Sequence, residues 1–318
     1  MKTEELKYKL SMELEPKAHY NFDANFHKPS HFPSSDNIWR KGKYWITMVW
    51  KGRYLGLKFE DKKNKIKIDV YSKKSLPKEF IKDLTPELRY RFNFDQDISN
   101  FYNQLKNEKP LGPIIRKWEG MKPIAANSLY ETLIIYIVLQ NATVRRSNQM
   151  LENLFNKFGK KVKFDNKTLS TFWEPEIMEK SSEEGLRELK VGYRAKTLIN
   201  LTKQFVNKDI DEFKLRKLSR EEIKKDILKL YGIGPASVEY LLFEDFYFLD
   251  ALEIIPPWEQ KIFSMLLFNK KLVPAKKILN FFKRYKPYEK LAVHYIWEDL
   301  FWKRKHEHIE WLEKEIRL

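Results

Sequence analysis

Two glycines and a proline interrupt an otherwise helical stretch, LKLYGIGPASVEYLL, between residues 228 and 242. Gly232 stands where a residue with positive φ ends a helix at little cost, and Pro235 suits the first position of the next helix because its missing N–H is not needed there. The backbone amides of such a turn lie at the positive end of the second helix, where they bind a phosphate oxygen. A plain helical hairpin, which needs only one glycine at its helix end, is the alternative. In so basic a chain the pattern favours an anion-binding turn formed by Gly232, Ile233, Gly234, Ala236 and Ser237.

The net charge of the chain points to the same kind of partner. There are 61 lysines and arginines against 44 aspartates and glutamates, a formal charge of +17. A charge of this size favours binding to a polyanion through phosphate neutralisation and counterion release. A lysine-rich proteome is the alternative explanation. Because the basic residues are scattered in short runs such as KKNKIK, KKVK and KRK, a folded surface must collect them.

Several classes of chemistry lack the residues that they need. No cysteine is present, which excludes disulfides, thiolate zinc sites, cysteine nucleophiles and a cysteine-ligated iron–sulfur cluster. The histidine pairs in HKPSH and HEH lack a third ligand at suitable spacing, and neither a GxxxxGK[ST] loop nor a GxGxxG turn after a strand occurs. The N-terminal residues are charged throughout, and the most apolar stretch, LIIYIVL, is too short to span a bilayer. We therefore expect an intracellular protein without a metal site, in the cytoplasm or nucleoid of a bacterium or archaeon.

The residue pattern of the segments that would position the glycine turn changes from strand-like to helical near residue 110. Before it, KYWITMVWKGRYLGLKFEDKKNKIKIDVYS alternates apolar and charged residues with glycine-containing turns, a pattern of strands and hairpins. After it the pattern is helical, and two helices begin with capping boxes, SLYE at 128–131 and SREE at 219–222. Ile223, Ile227 and Leu230 are spaced to form one buried helix face. The predicted fold is α+β, with a small antiparallel β-rich domain at 1–110 and an all-helical domain at 111–318.

These stretches resemble the helix-hairpin-helix (HhH-GPD) DNA glycosylase superfamily, in particular the branch of 3-methyladenine and 8-oxoguanine DNA glycosylases. The glycine turn is similar to the hairpin of that superfamily. FDANFHKPSHFPSSDNIWRKGKYW resembles the opening strand and substrate-handling turn of the branch, and FNFDQDISNFY resembles the lead into the helical domain. WEGMKPIAANSLYETLIIYIVLQNATVRRSNQML resembles the first long helix, and VGYRAKTLINL the start of a further helix. The resemblance touches both predicted domains, and its pieces occur in the family order.

The resemblance implies a catalytic carboxylate after the hairpin, at the start of a helix. That group stabilises positive charge on the sugar while the N-glycosidic bond breaks, which is the electrostatic logic of glycoside hydrolysis. Alignment of KIFSML with the helix of the family places Glu259 at this position, although the usual aspartate is replaced by Pro-Pro-Trp-Glu. Asp250 is the second candidate and Glu253 the third. The alternative for Glu259 is a solvated first-turn acid that complements the helix dipole.

The resemblance also bears on the nucleophile and on the base. Some superfamily members carry a lysine shortly after the hairpin whose amine attacks the sugar, but here Ala236 follows Pro235 and no lysine occurs before Lys261. Water is therefore the expected nucleophile, and the enzyme is expected to be monofunctional. This favours alkylated purines, which are good leaving groups, as the first choice of damaged base, and oxidised purines as the second.

Residues near the end of the first long helix are expected to contact DNA. The family fills the space of an extruded base from this position, which assigns Gln140 and Asn141 to the orphaned base and Arg145 and Arg146 to phosphate. Capping of the helix end is the alternative role for the two amides. Trp258 and Tyr240 are the candidates for the base pocket, with other aromatic side chains as weaker ones: Trp45, Trp173 and Trp297.

Together these inferences predict a monofunctional DNA glycosylase of base excision repair. Its partner is double-stranded DNA that contains a damaged base, and it works as a monomer. No cofactor is required. Binding of an alkali-metal ion at the hairpin is an additional option. A non-catalytic DNA-binding protein of the same fold is the alternative, because Pro-Pro-Trp-Glu replaces the usual aspartate of the family. RNA binding is supported only by the net charge.

Overall fold

The computed structural model describes residues 3–17, 19–30 and 32–315. The chain divides by packing into two compact units, each made of three segments. Unit 1 consists of Met1–Lys17, Phe32–Gln96 and Ala125–Glu212, and unit 2 of Ala18–His31, Asp97–Ile124 and Phe213–Leu318. The boundaries of these two units differ from the single boundary near residue 110 that the residue pattern indicated. No helix in the described ranges is long and apolar enough to cross a membrane.

Eight strands and sixteen helices occur in the described residues. The strands are β1 (Thr3–Glu5), β2 (Tyr8–Leu14), β3 (Asn37–Arg40), β4 (Lys43–Trp50), β5 (Arg53–Asp61), β6 (Ile66–Ser72), β7 (Lys161–Phe164) and β8 (Lys167–Ser170). The helices are α1 (Phe22–Phe26), α2 (Lys78–Arg91), α3 (Ser99–Leu105), α4 (Leu111–Lys117), α5 (Leu129–Leu139), α6 (Val144–Phe158), α7 (Pro175–Glu179), α8 (Glu183–Glu188), α9 (Arg194–Val206), α10 (Glu212–Leu215), α11 (Arg220–Ile227), α12 (Pro235–Glu244), α13 (Pro257–Phe268), α14 (Ala275–Phe282), α15 (Glu289–His306) and α16 (Glu310–Glu315). The fold is α+β with an antiparallel N-terminal sheet and a helical body, as the sequence predicted.

Unit 1 contains two sheets. Strands β2 to β6 form a five-stranded antiparallel sheet in the order β2-β6-β5-β4-β3, while β1 pairs in parallel with β7 in a three-stranded sheet that β8 completes. The β7–β8 hairpin lies in a region where the residue pattern indicated only helices. Gly56 on β5 allows close contact with this hairpin, because a Cβ at that position would lie 2.4 Å from the ring of Phe164. Packing of side chains between the sheets thus decides the identity of Gly56.

A buried ion pair joins two helices of unit 1. Arg91, the last residue of α2, donates to Glu87 one turn earlier over 2.6 Å, and its guanidinium lies 3.8 Å from Glu131 on α5. All three side chains are buried. Glu131 also completes the predicted capping box of α5 with Ser128. Burial raises the pKa of Glu131 to about 7 although Arg91 opposes the rise. The free-energy cost of burying the ionised carboxyl group is therefore only partly offset by its partners.

Unit 2 is built around a helical core to which α13, α14 and α15 contribute buried apolar side chains. Helix α11 has the predicted capping box of Ser219 and Glu222, and its face of Ile223 and Ile227 is buried together with Leu230 beyond its end. Helix α12 follows after the glycine turn. These two short helices therefore form the predicted helix–turn–helix hairpin.

Candidate functional site

The glycine turn between α11 and α12 has the expected backbone. Gly232 has a φ of +78°, which confirms the predicted left-handed residue after the helix. Ile233 is buried and fixes the turn to the core of unit 2, while Gly232 and Ala236 are exposed and Ser237 is half-buried. Pro235 occupies the first position of α12. The turn therefore presents its backbone outward and its one large apolar side chain inward.

Gly234 is needed neither for its backbone angles nor for packing within the chain. Its φ is −102° and its ψ 172°, values that any residue adopts, and a Cβ built on it would meet nothing within 4 Å. It is the N-cap of α12 but offers no side chain to the first-turn amides. The amides of Ala236 and Ser237 thus lie at the positive end of a ten-residue helix without a capping side chain. This is the geometry of an anion-binding helix terminus.

Glu259 lies in the first turn of α13, which begins at Pro257 after the N-cap Pro256. The expected alternative of a solvated acid is wrong for this residue, because its side chain is 0% exposed. One carboxyl oxygen accepts a hydrogen bond from the hydroxyl of Tyr240 on α12, and the other, Oε2, is buried without a hydrogen-bond partner in the described chain. Tyr240 thereby fixes the orientation of the carboxyl group.

Burial dominates the electrostatics of Glu259. Loss of water raises its pKa above the ordinary value of 4.5, while the charge of Lys290, the hydroxyl of Tyr240 and the indole of Trp297 act in the lowering direction. The indole N–H of Trp297 is itself buried and reaches no acceptor at hydrogen-bonding geometry in the described chain, so its effect on Glu259 is one of proximity. The net effect is that the pKa of Glu259 lies above that of an exposed glutamate.

The structure brings two further residues to Glu259. Lys290, on α15, is only 3% exposed, and its Nζ lies 4.2 Å from the centroid of the Tyr240 ring. Trp297, two turns further along α15, is 7% exposed. We call Tyr240, Glu259, Lys290 and Trp297 the buried polar cluster. The buried position of Lys290 could not be predicted from the sequence, since a lysine at the second position of a helix is ordinarily solvated.

Trp258 is the exposed neighbour of the buried polar cluster. Its side chain is 47% exposed, and its ring packs on Trp297 at a centroid distance of 5.1 Å and a tilt of 39°. The structure thus brings the base-pocket candidates Trp258 and Tyr240 to the same group of helices as Glu259. The other weak candidates, Trp45 and Trp173, are buried in unit 1.

The second and third carboxylate candidates are engaged by basic residues of α11. Asp250 lies 3.4 Å from the guanidinium of Arg220, and Glu253 lies 2.8 Å from the same group and also pairs with Lys224. These pairs hold the loop before α13 against α11. The pKa of Glu253 is lowered, first by its hydrogen bond to Lys224, as expected for a carboxylate held by cations.

The turn between α5 and α6, in unit 1, carries the amides predicted to contact an orphaned base. Asn141 is exposed and has a φ of +49°, and its Nδ2 lies 3.4 Å from the hydroxyl of Tyr193. Tyr193 is 54% exposed and was not singled out from the sequence. Helix capping is done by Arg194, whose Nε donates to the carbonyl of Ile137 over 3.0 Å and whose Nη2 donates to that of Gln140.

Arg145 and Arg146 lie in the first turn of α6 and are exposed. The backbone N–H of Arg146 donates to the N-cap Thr143 over 3.2 Å. The guanidinium of Arg146 donates to the carbonyl of Lys190 and to Oε1 of Gln149. No group of three or more histidine and acidic side chains within the described ranges is placed to hold a metal ion.

Comparison with known proteins places these features in a family context. A model of the HhH-GPD superfamily of base excision DNA repair proteins matches residues 134–315. The DNA-3-methyladenine glycosylase of Bacillus subtilis (strain 168) is 22% identical over 250 residues, which are 74% of this chain and 82% of that protein.

Two solved structures are similar over nearly the whole chain. The 3-methyladenine DNA-glycosylase from Archaeoglobus fulgidus matches with a TM-score of 0.74 and 15% identity, over 94% of this chain and 100% of the other. The 8-oxoguanine glycosylase/lyase of Clostridium acetobutylicum, in complex with double-stranded DNA containing cytosine opposite 8-oxoguanine, matches with a TM-score of 0.67 and 18% identity, over 93% and 99% of the two chains. Because the sequence identities are 15% and 18%, these two matches show a similar fold and nothing more.

Proposed function

Because the chain belongs to the HhH-GPD superfamily of base excision DNA repair proteins, we propose that it is a monofunctional DNA glycosylase. It hydrolyses the N-glycosidic bond of a damaged purine that is flipped out of duplex DNA, and it acts as a monomer. The observation that carries the proposal is the presence, in unit 2, of the anion-binding turn at Gly232–Pro235 and a buried, oriented carboxyl group at Glu259. Relatives named as glycosylases for alkylated and for oxidised purines support both classes of base.

Binding to DNA begins at the phosphate backbone. The free space at Gly234 and the uncapped amides of Ala236 and Ser237 suit a phosphate oxygen. The formal charge of +17 supplies the long-range attraction. Contacts of this kind position the protein without selecting a sequence.

Bond cleavage rests on Glu259. As the base leaves, the sugar acquires positive charge, and a carboxylate held by Tyr240 stabilises that charge without having to reorient. Only the ionised form has this effect, so the nearby charge of Lys290, which lowers the pKa of Glu259, favours the active state. Burial acts against it, and excision is expected to rise with pH through a midpoint above 4.5.

Water completes the reaction in this proposal. Ala236 is exposed on the first turn of α12, at the place where bifunctional members of the family carry the attacking lysine. No Schiff base can form from an alanine, and the sugar–phosphate strand stays intact. No cofactor takes part; an alkali-metal ion at the hairpin would bind mainly backbone oxygens, since Ser237 has the one side-chain oxygen of the turn at 232–237.

The orphaned base is met by the turn after α5. Asn141 and Gln140 carry amides that can hydrogen bond any base edge, and the exposed ring of Tyr193 beside Asn141 offers a surface for stacking. Arg145 and Arg146 bind the neighbouring phosphates.

One observation favours the second candidate, a DNA-binding protein without catalysis. Pro256 occupies the N-cap of α13, where an acidic side chain would be expected to face outward, and the nearest acid, Glu259, is fully buried. In that case the same hairpin binds DNA and no base is released.

Incubation with duplexes that each contain one defined damaged base distinguishes the two candidates. We expect abasic sites to form on at least one alkylated or oxidised purine, with strand cleavage only after alkali treatment. Borohydride is expected to trap no covalent protein–DNA adduct, because no amine attacks the sugar. A trapped adduct would show an amine nucleophile, and tight binding without any base release would favour the non-catalytic candidate.

Replacement of Gly234 by valine tests the hairpin. We expect Gly234→Val to fold normally, because its φ suits any residue and the added carbons meet no atom of the chain. Affinity for duplex DNA should fall by about tenfold or more, since the side chain fills the space of a phosphate. The variant is compared with Gly185→Val, a half-buried glycine of α8 where an added Cβ would be in ordinary contact with Oγ of Ser182 at 3.6 Å. Circular dichroism and a binding titration at two salt concentrations measure both effects; equal affinity of both variants would make the hairpin a structural turn.

A further inference from the structure

Two buried polar atoms of the buried polar cluster have no hydrogen-bond partner in the described chain: Oε2 of Glu259 and the indole N–H of Trp297. Buried polar atoms are nearly always hydrogen bonded in folded proteins. A third polar group, the ammonium of Lys290, lies over the face of the Tyr240 ring, and its charge acts on Glu259. Glu259, Trp297 and Lys290 are 0%, 7% and 3% exposed. Two unpaired atoms beside a buried cation indicate a place that suits polar atoms from outside the chain.

The three groups form a definite pattern. Lys290 and Trp297 are donors, and Glu259 is an acceptor when it is ionised. A purine that carries a carbonyl oxygen next to a ring N–H complements this pattern, while the aromatic rings of Tyr240 and Trp258 provide surfaces for its faces. The aromatic neighbours alone would accept any flat base, so discrimination must come from the polar groups.

We propose that Lys290 determines which damaged base is accepted: its ammonium donates a hydrogen bond to a carbonyl oxygen of a neutral purine and repels a purine that carries a positive charge. This inference rests on the proposed function, because it takes the flipped base to lie against Tyr240, Trp258 and Trp297. It reverses the preference for alkylated purines that the missing lysine after the hairpin suggested.

Charge in a buried place explains the repulsion. Like charges within a few ångström interact strongly where water is excluded, and a base methylated at N3 or N7 brings a second cation beside Lys290. The one carboxyl group of the buried polar cluster, Glu259, is needed to balance Lys290 itself. A neutral base avoids this conflict and offers the ammonium a carbonyl oxygen to which it can donate, so the discrimination comes from an unfavourable contact as well as a favourable one.

The test compares four duplexes, two with neutral carbonyl-bearing bases (8-oxoguanine and hypoxanthine) and two with cationic bases (7-methylguanine and 3-methyladenine). Each rate of release is divided by the spontaneous rate of the same duplex, since cationic bases leave readily without a catalyst. The variants are Lys290→Met, which keeps the length of the side chain and removes the charge, and Lys290→Arg, which keeps the charge. The ratio of neutral to cationic release cancels any effect of the substitution on Glu259 that is common to all four substrates.

We expect the wild type to accelerate release of the neutral bases more, and Lys290→Met to shift the ratio toward cationic bases by about tenfold or more. Lys290→Arg is expected to keep the preference for neutral bases. An unchanged ratio in Lys290→Met, or a wild-type preference for cationic bases, would overturn the inference while leaving the proposed function in place. Binding of the same duplexes by Glu259→Gln, with and without Lys290→Met, is measured in parallel. If no base is released, the proposed function fails, and the shift in the affinity ratio still decides the role of Lys290.

Discussion

Replacement of Glu259 by glutamine is expected to reduce base excision by at least about 100-fold, corresponding to roughly 3 kcal/mol of transition-state stabilisation. Glutamine keeps the shape and can still accept from Tyr240, but it carries no charge to stabilise the sugar. Binding to damaged DNA should persist or tighten slightly, because one negative charge near phosphates is removed. Single-turnover excision assays and binding titrations measure the two effects separately.

The fold is expected to tolerate Glu259→Gln and to gain from it at high pH. Because the pKa of Glu259 is raised in the folded chain, its favourable contribution to stability is present below its ordinary pKa of 4.5 and is lost as pH rises through the folded value. The amide resembles the protonated acid and should remove this part of the pH dependence, which melting temperatures at pH 5 and pH 8 will show.

Glu79→Gln is the matched control, since Glu79 is also a first-turn glutamate but lies exposed on α2. We expect it to leave excision and its pH dependence unchanged. Full activity in Glu259→Gln together with loss of activity in Asp250→Asn would place the catalytic acid on the other side of the two prolines.

Arg91→Met is expected to destabilise the protein by about 3–5 kcal/mol, the cost of leaving buried carboxylates without their cation. Glu87 and Glu131 would both lose the guanidinium that lies between them. The pKa of Glu131, already about 7, should rise further, so the loss is larger at pH 8 than at pH 5. Urea titrations followed by fluorescence at both pH values measure it.

Arg89→Met controls for this effect on the same helix. Arg89 is partly exposed and pairs with Asp95, and exposed pairs contribute about 0–1 kcal/mol. If the two variants lost equal stability, the buried pair would not have the assigned role. Adding Glu87→Met to Arg91→Met should recover part of the loss, because a buried carboxyl group then no longer lacks a partner.

Local chemistry allowed several features to be predicted from the sequence alone. The capping boxes at Ser128 and Ser219, the left-handed Gly232 and the helix start at Pro235 all form as expected. Each depends on residues within one turn of each other, so the same short segment contains both the signal and the structure that it specifies. The change from alternating to helical patterning likewise predicted the α+β fold.

Contacts between distant segments could not be predicted in this way. The pairing of β1 with β7 joins residues about half the chain apart, and the short segment of β7 and β8 has too few residues to show a clear period. Tyr193 meets Asn141 because α9 packs against α5, which no local pattern encodes.

The candidate site shows the division most clearly. The amino-acid sequence determined the glycine–proline turn between two helices, because glycine and proline act through neighbouring residues, while the acid at the start of a later helix was predicted from the family resemblance. Tertiary structure alone decided that Glu259 is buried, that Tyr240 orients it and that Lys290 lies beside it, since these residues come from three helices. The burial of a charged side chain depends on which surfaces cover it, and those surfaces belong to segments elsewhere in the chain.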